Sequence, residues 1–331
     1  MGDILLARDA EALFWLARYV ERSENLARIL DVNATFARNS RGDQNWLPVL
    51  QLNRDQDRFF AIHPILTAEA VLRFYVTDRE NPTSIASAME RAHENARALR
   101  PIIPSEMWAQ LNVFRKWLHG LDKAALAPAG LARLFGRIKE ACQTHAGITE
   151  GTLHRDQGSY FYRLGRAVER ADQTTRLLDI KYHLLLPRVS DVGSLVDVVQ
   201  WNALLRSAAA HHAYLRVVPG GVSPAGVAGF LLLHPSFPRS VAFCIGEAVR
   251  LLVVLRSRHG LTTGAGAEAE LEQLQASLGT LTIEEILQQG LHEFLDRIQL
   301  RLITATGNLA EGFFNPSSGG VQAQASTGYP R

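Results

Sequence analysis

The sequence predicts an all-α protein built from two quasi-repeated helical halves packed into one bundle-like unit. Three observations predict it. Apolar residues recur at three- and four-residue spacing along nearly the whole chain. Alternating β-branched runs of the strand kind are nearly absent. The segment Leu16 to Val32 returns as Leu164 to Ile180 with eight of 17 positions identical: Leu, Arg, Val, Glu, Arg, Arg, Leu and Asp.

A long helix is expected over residues 10 to 38, closed by the turn-forming Asn39-Ser-Arg-Gly-Asp run. Pro64, Asn81-Pro82, Pro101 and Pro104 punctuate the following helices, and Ala127-Pro-Ala-Gly precedes another. Pro82-Thr83-Ser84 and Pro238-Arg239-Ser240 read as helix starts with Pro and a hydroxyl residue in the first turn. The second charged helix is expected over 159 to 185, with Pro187 after it. Pro219 to Pro224 is a connector: it lacks the Gly-x-x-x-x-Gly-Lys pattern of a phosphate loop and follows no strand. Thr262 to Gly266 leads into a late helix pair, and residues 315–331, small, polar and almost uncharged, read as a disordered tail.

A second pairing at nearly the same offset sets residues 70–89 against 226–245, with Phe74 facing Phe230, Pro82 facing Pro238 and Ser84 facing Ser240. Two matches in one order predict a doubled unit of roughly 150 residues, too long a period for a short-repeat solenoid. The expected halves are 1–150 and 151–314, with the two charged helices adjacent at the centre.

Composition narrows the function classes. A formal charge of +2 and no Lys/Arg block argue against nucleic acid and anionic membrane surfaces. Asp3, Arg8, Asp9 and Glu11 interrupt any signal-like run, and no apolar stretch nears the ~20 residues of a span. A cytoplasmic location is expected. The oligomeric state stays open, a homo-oligomer included. Cys142 and Cys244 lie in helical patterns without a Cys-x-x-Cys partner and read as buried reduced thiols.

The charged helices carry the functional question. At roughly 100° per residue, Arg18, Glu21, Arg22, Asn25 and Arg28 form one band, with Leu16, Tyr19, Val20, Leu26 and Leu30 opposite. Arg166, Glu169, Arg170, Gln173 and Arg176 repeat the band. Arg18 to Glu21 and Glu21 to Asn25 are spacings at which side chains touch. Three readings stand together: a solvated stripe, a partly buried Arg–Glu network, or a site whose excess positive charge holds a carboxylate or phosphate. Arg retained over Lys at three matched positions favours the last two, because its planar fork makes bidentate pairs.

Other constellations are weaker. Glu90-x-x-His93 has di-iron spacing but no second pair, and His211-His212 point to different helix sides, so no metal and no cofactor are expected. His154, Arg155 and Asp156 precede the second charged helix. Asp156 fits a cap there, and the three together could supply an acid/base and an anion clamp at a helix amino terminus. The tryptophans fall at helical spacings and read as core.

LLARDAEALFWLARYVERSENLARILDV and GSYFYRLGRAVERADQTTRLLDI resemble the two signature helices of the alpha-E domain family, a bacterial all-helical family with a Glu-Arg motif. The resemblance continues through residues 93–112, 152–158, 237–248 and 293–314. His93 stands where the family pattern has Arg. Members are typically encoded beside, or fused to, a circularly permuted ATP-grasp protein and a transglutaminase-like cysteine peptidase. The resemblance therefore implies a partner or substrate-handling subunit in ATP-dependent peptide or amide bond formation. The alternatives are an enzyme using the Glu-Arg cluster for acid/base chemistry on a carboxylate or phosphate substrate, with Glu21 or Glu169 as base or acid, and a structural scaffold.

Overall fold

Where the helices begin is set by short polar side chains. In the computed structural model, which describes residues 5–39, 46–184, 195–259 and 263–314, Thr67, Ser84, Ser223 and Ser240 each accept a hydrogen bond from a backbone N–H three residues on, at 3.0–3.1 Å. Each satisfies one amide that the first helical turn leaves free. Among the described residues the regular elements are all helical.

In chain order the α-helices are α1 (Ala7–Asn39), α2 (Leu47–Leu52), α3 (Gln56–Ile62), α4 (Ala68–Val76), α5 (Ile85–Ala98), α6 (Ser105–His119), α7 (Leu131–Thr152) and α8 (Gln157–Leu184). They continue with α9 (Leu195–Ser207), α10 (His211–Val217), α11 (Pro224–Leu233), α12 (Val241–His259), α13 (Ala265–Thr280), α14 (Ile283–Gln289) and α15 (Leu291–Leu309). A π-helical turn at Ala310–Phe314 follows and packs on α1 and α15. One detail of the expectation changes. Ser84 and Ser240 are caps outside their helices, and Pro82 and Pro238 lie in the preceding turns. The expected tail 315–331, Pro187 and the turn after Asn39 lie outside the described residues.

The charged helices α1 and α8 lie against each other at the centre, the most extensive helix contact in the molecule. Helices α5 and α7 flank α1, with α6 behind them, while α12 and α15 flank α8, with α13 behind. The short helices cross over: α2 packs on α8, and α9 packs on α1. Small features recur in the same order. Arg54 and Ala209 both adopt positive φ just before α3 and α10. The hydroxyls of Ser84 and Ser240 both donate back to the carbonyl six residues earlier. These contacts hint at an internal pseudo-symmetry relating the first and second groups of helices.

The core is continuous across the α1–α8 contact, running from Leu13, Phe14 and Leu30 through Leu164 and Leu178. Trp46 and Trp201 are buried; Trp15, Trp108 and Trp117 are half-buried against the core. No helix among the described residues is long and apolar enough to cross a membrane.

Candidate functional site

Close approach of α1 and α8 is possible because Gly165 has no side chain. A Cβ there would stand 2.2 Å from the Phe14 carbonyl oxygen. The facing polar bands are thereby brought within hydrogen-bond distance, and each helix's arginine reaches the other helix's glutamate.

The exchange is reciprocal. Arg22 donates from Nε to Glu169 Oε1 at 2.7 Å and from Nη2 to Oε2 at 2.9 Å. Arg170 donates from Nε to Glu21 Oε1 at 2.9 Å and from Nη2 to Oε2 at 2.8 Å. These are two bidentate pairs, the geometry the guanidinium fork favours. The side-chain amides support them: Asn25 Nδ2 donates to Glu21 at 3.2 Å and Gln173 Nε2 to Glu169 at 3.1 Å. A turn further on, Arg28 pairs with Glu24 and donates to the Ser207 carbonyl at 3.1 Å, while Arg176 pairs with Asp172 and donates to the Leu52 carbonyl at 3.1 Å.

The band is therefore not a solvated stripe. Glu169 is 0% exposed, Glu21 4% and Arg18 9%. The Arg18–Glu21 contact suggested by spacing does not form; Arg18 crosses to Glu169 Oε2 at 2.7 Å and lies over Trp15, 4.6 Å from the ring centroid. Burial alone would raise both carboxyls, but the facing arginines outweigh it. Glu169 is held down to about 2, chiefly by Arg22 and Arg18, and Glu21 lies below the usual carboxylate range beside Arg170 and Arg239. Both are ionised at neutral pH, with their oxygens already committed to donors.

Arg239 was not singled out by the sequence. From the turn before α12 it donates to Glu21 Oε1 at 2.9 Å, Asn25 Oδ1 at 3.1 Å and Glu24 Oε1 at 2.7 Å. Glu21 thus takes its second arginine from this turn, whereas Glu169 takes its second from Arg18. Arg166, which matches Arg18 in sequence, is left over and forms no hydrogen bond or ion pair among the described residues.

Arg166 lines a cavity of about 250 Å³ with Arg163, Ala167, Arg170, Pro238, Phe243, Cys244 and Glu247. Arg163 gives one bond to Glu247 at 3.1 Å, and its Nε–H is buried without a partner. With Arg170 tied to Glu21 and Arg163 to Glu247, Arg166 supplies the positive charge at this wall that no ion pair balances among the described residues. Cys244 at its wall is a thiol, since burial pushes its pKa up to about 12; Cys142 is likewise raised well above its ordinary value by burial and the nearby Glu24 and Glu21.

His154, Arg155 and Asp156 sit at the start of α8, all exposed. Asp156 caps the helix by accepting Ser159 N–H at 3.1 Å, and Arg155 pairs with Glu150 at 2.6 Å. Arg155 also borders a cavity of about 10 Å³ shared with Arg163 and Arg166. The Glu90 and His93 side chains diverge: Glu90 takes Arg115 and His119, while His93 bonds Asn112 at 3.0 Å and stacks on Trp108.

One further cluster escaped the sequence because Asp179 lies over 100 residues from His292 and Asp296. His292 Nδ1 is 2.7 Å from Asp179 Oδ1, and its Nε2 is 3.8 Å from Asp296 Oδ2. Their ligand atoms lie within 4.8 Å of one another, close enough for a cation. The hydrogen bond to Asp179 raises the His292 pKa, and the partly exposed imidazole lies between two carboxylates. Its Asp179 stands thirteen residues along α8 from Arg166, roughly 20 Å at the helical rise.

Residues 5–314 match Alpha-E, described as a predicted alpha-helical domain with a conserved ER motif. Among curated proteins the chain is similar to an uncharacterized protein of Mycobacterium bovis, 25% identical over 294 residues, covering 83% of this chain and 32% of that protein. Two uncharacterized proteins of Mycobacterium tuberculosis match over the same length at 25% and 24% identity and the same coverage. The chain thus spans about a third of the length of these relatives. No solved structure matches.

Proposed function

Because the chain belongs to the Alpha-E family, whose description names a conserved ER motif, its Glu-Arg helices are the natural seat of activity, and we propose that they build a binding site for a carboxylate- or phosphate-bearing substrate. The observation that carries this is Arg166, which lies near Glu21 and Glu150 but forms no hydrogen bond or ion pair among the described residues at its cavity wall, while the corresponding Arg18 is locked into Glu169. In this reading the buried ion-pair lattice is the frame. It fixes Arg170, keeps α8 against α1 and leaves Arg166 and the free Nε–H of Arg163 to face an anion. The doubled architecture read from the sequence supports the same view, since one half's arginine is tied and the other's is left for a ligand.

Titration with inorganic phosphate by calorimetry tests it. Wild type binds, Arg166→Ala loses binding while keeping its helical circular dichroism, and Arg166→Lys restores part of it. Equal binding by wild type and Arg166→Ala removes the proposal.

Acid/base chemistry is a second reading, favoured by His292 between Asp179 and Asp296. Its distance from Arg166 makes it a separate centre on this chain. An Asp179→Asn change that leaves any measured turnover and its pH profile intact would remove it. The partner reading, in which an ATP-grasp ligase receives the bound substrate, rests on the family resemblance. Co-purification of the chain with such a ligase supports it; two proteins that elute apart and do not affect each other's turnover count against it.

A further inference from the structure

A second cavity flanks the lattice on the side opposite Arg239's position in the pseudo-symmetric arrangement. It measures about 200 Å³ and is lined by Arg22, Leu26, Asn53, Thr83, Asp172, Gln173 and Arg176. The corresponding place beside Asn25, Arg28, Thr174, Ala208 and Arg239 holds only about 10 Å³. The two places share their construction. Arg28 and Arg176 each pair with the acid four residues earlier and donate to a carbonyl, of Ser207 and Leu52 respectively. Asn25 and Gln173 each donate an amide N–H to the central glutamate. Thr83 and Arg239 each stand immediately before the capping serine, Ser84 or Ser240.

The difference is the side chain at that last position. Arg239 fills its side: its guanidinium donates to Glu21, to Glu24 and to the Asn25 amide oxygen. Thr83 is too short to do the same, and the space stays open. Two of those three acceptors have counterparts here, Asp172 and the Gln173 amide oxygen, while Glu169, the counterpart of Glu21, is already taken by Arg18. Among the described residues the Asp172 carboxylate takes bonds from Arg176 and the adjacent Gln173, whereas Glu24 takes Arg28, Gln143 and Arg239. Gln173 is 8% exposed, and its amide oxygen, the counterpart of the Asn25 oxygen that Arg239 uses, accepts no hydrogen bond among the described residues. This oxygen is not among the buried unpartnered atoms, so it is open to the cavity and free to take a donor from a ligand.

We propose that this cavity binds the guanidinium group of a ligand, held by Asp172 and the Gln173 amide oxygen beside Thr83, in the place that Arg239 occupies on the other side. Positive neighbours do not forbid it. Arg239 itself sits beside Arg28 and Arg170, just as the ligand would sit beside Arg176 and Arg22. Behind the Thr83 wall, outside the cavity lining, buried Asp55 accepts the Thr83 and Tyr75 hydroxyls and pairs with Arg58. The cavity has room for a guanidinium and a short alkyl stem, so the ligand is an arginine-like small molecule or an arginine side chain of a peptide.

Calorimetric titration of the full chain with L-arginine, N-acetyl-arginine amide and citrulline tests the proposal. At least one guanidinium probe binds, and the neutral citrulline binds at least about tenfold more weakly, because it lacks the charge that pairs with Asp172. Binding by the amide alone assigns the peptide source and still supports the site. Thr83→Arg abolishes arginine binding and raises the melting temperature, because the protein's own guanidinium then fills the cavity. Asp172→Asn, checked for native circular dichroism, weakens arginine binding and leaves phosphate binding at Arg166 unchanged. Arginine and citrulline binding equally, neither guanidinium probe binding, or an introduced guanidinium that turns to solvent in the structure of the Thr83→Arg variant would overturn it.

Discussion

Glu169→Gln is the most revealing single change in the lattice. It keeps the shape of the side chain and removes its charge. Glu169 is fully buried and accepts three arginine hydrogen bonds, from Arg18 Nε at 2.7 Å and from Arg22 Nε and Nη2 at 2.7 and 2.9 Å, with Gln173 at 3.1 Å. Glutamine retains one acceptor oxygen and sets an N–H₂ where the other stood. Whichever way it turns, a donor then faces a donor. Removing one member of a buried ion pair leaves the other charge uncompensated, a loss of about 3–5 kcal/mol. Urea unfolding at pH 7 followed by circular dichroism measures it. With a slope of about 3 kcal/mol/M or less, the midpoint falls by about 1 M or more, with the slope unchanged. Glu21→Gln, whose oxygens take Arg170, Arg239 and Asn25, loses a comparable amount. A loss below about 1 kcal/mol, the range of exposed pairs, would refute the buried-lattice account.

Three further outcomes follow from the same geometry. Since the folded pKa of Glu169 is depressed to about 2, its stabilisation is present above the unfolded value of 4.5 and is lost as pH falls from there toward about 2; acid titration of unfolding free energy shows this loss, and Glu169→Gln shows less of it. Gly165→Ala drives a methyl to within 2.2 Å of the Phe14 carbonyl, so α1 and α8 must separate, and thermal unfolding registers a destabilisation of about 2 kcal/mol or more. Cys142 and Cys244, buried and held as thiols, react with a thiol reagent at pH 8 only as fast as the chain opens, so denaturant raises the rate sharply; prompt labelling in native buffer would contradict it.

The central helices were readable from their residues because helical periodicity and a second copy both mark them. So was the cap at Asp156, which follows from local chemistry alone. The pairing pattern was not. Spacing offers Arg18 a partner at Glu21 on its own helix, but close packing at Gly165 makes Glu169 available across the interface, and Arg18 takes that partner instead. Arg239 enters from a turn more than 200 residues from Glu21, and His292 meets Asp179 from another helix more than 100 residues on. Such meetings depend on how helices dock, and a single sequence carries them only as isolated charged residues. Thr83 illustrates the limit well. Its hydroxyl looked like helix-start chemistry, and its significance appears only beside Arg239, as the smaller side chain that leaves a cavity open.

The central claim is that the lattice ties its arginines to glutamates and spares Arg166 for an anion. Following the arginine Nε–H resonances while inorganic phosphate is added tests both parts together. The account predicts that the Arg166 signal shifts while those of Arg18, Arg22, Arg28 and Arg170, bonded to Glu169, Glu24 and Glu21, stay in place and exchange slowly with solvent. A uniform shift of all five, or an Arg166 signal that phosphate leaves unmoved, would contradict it.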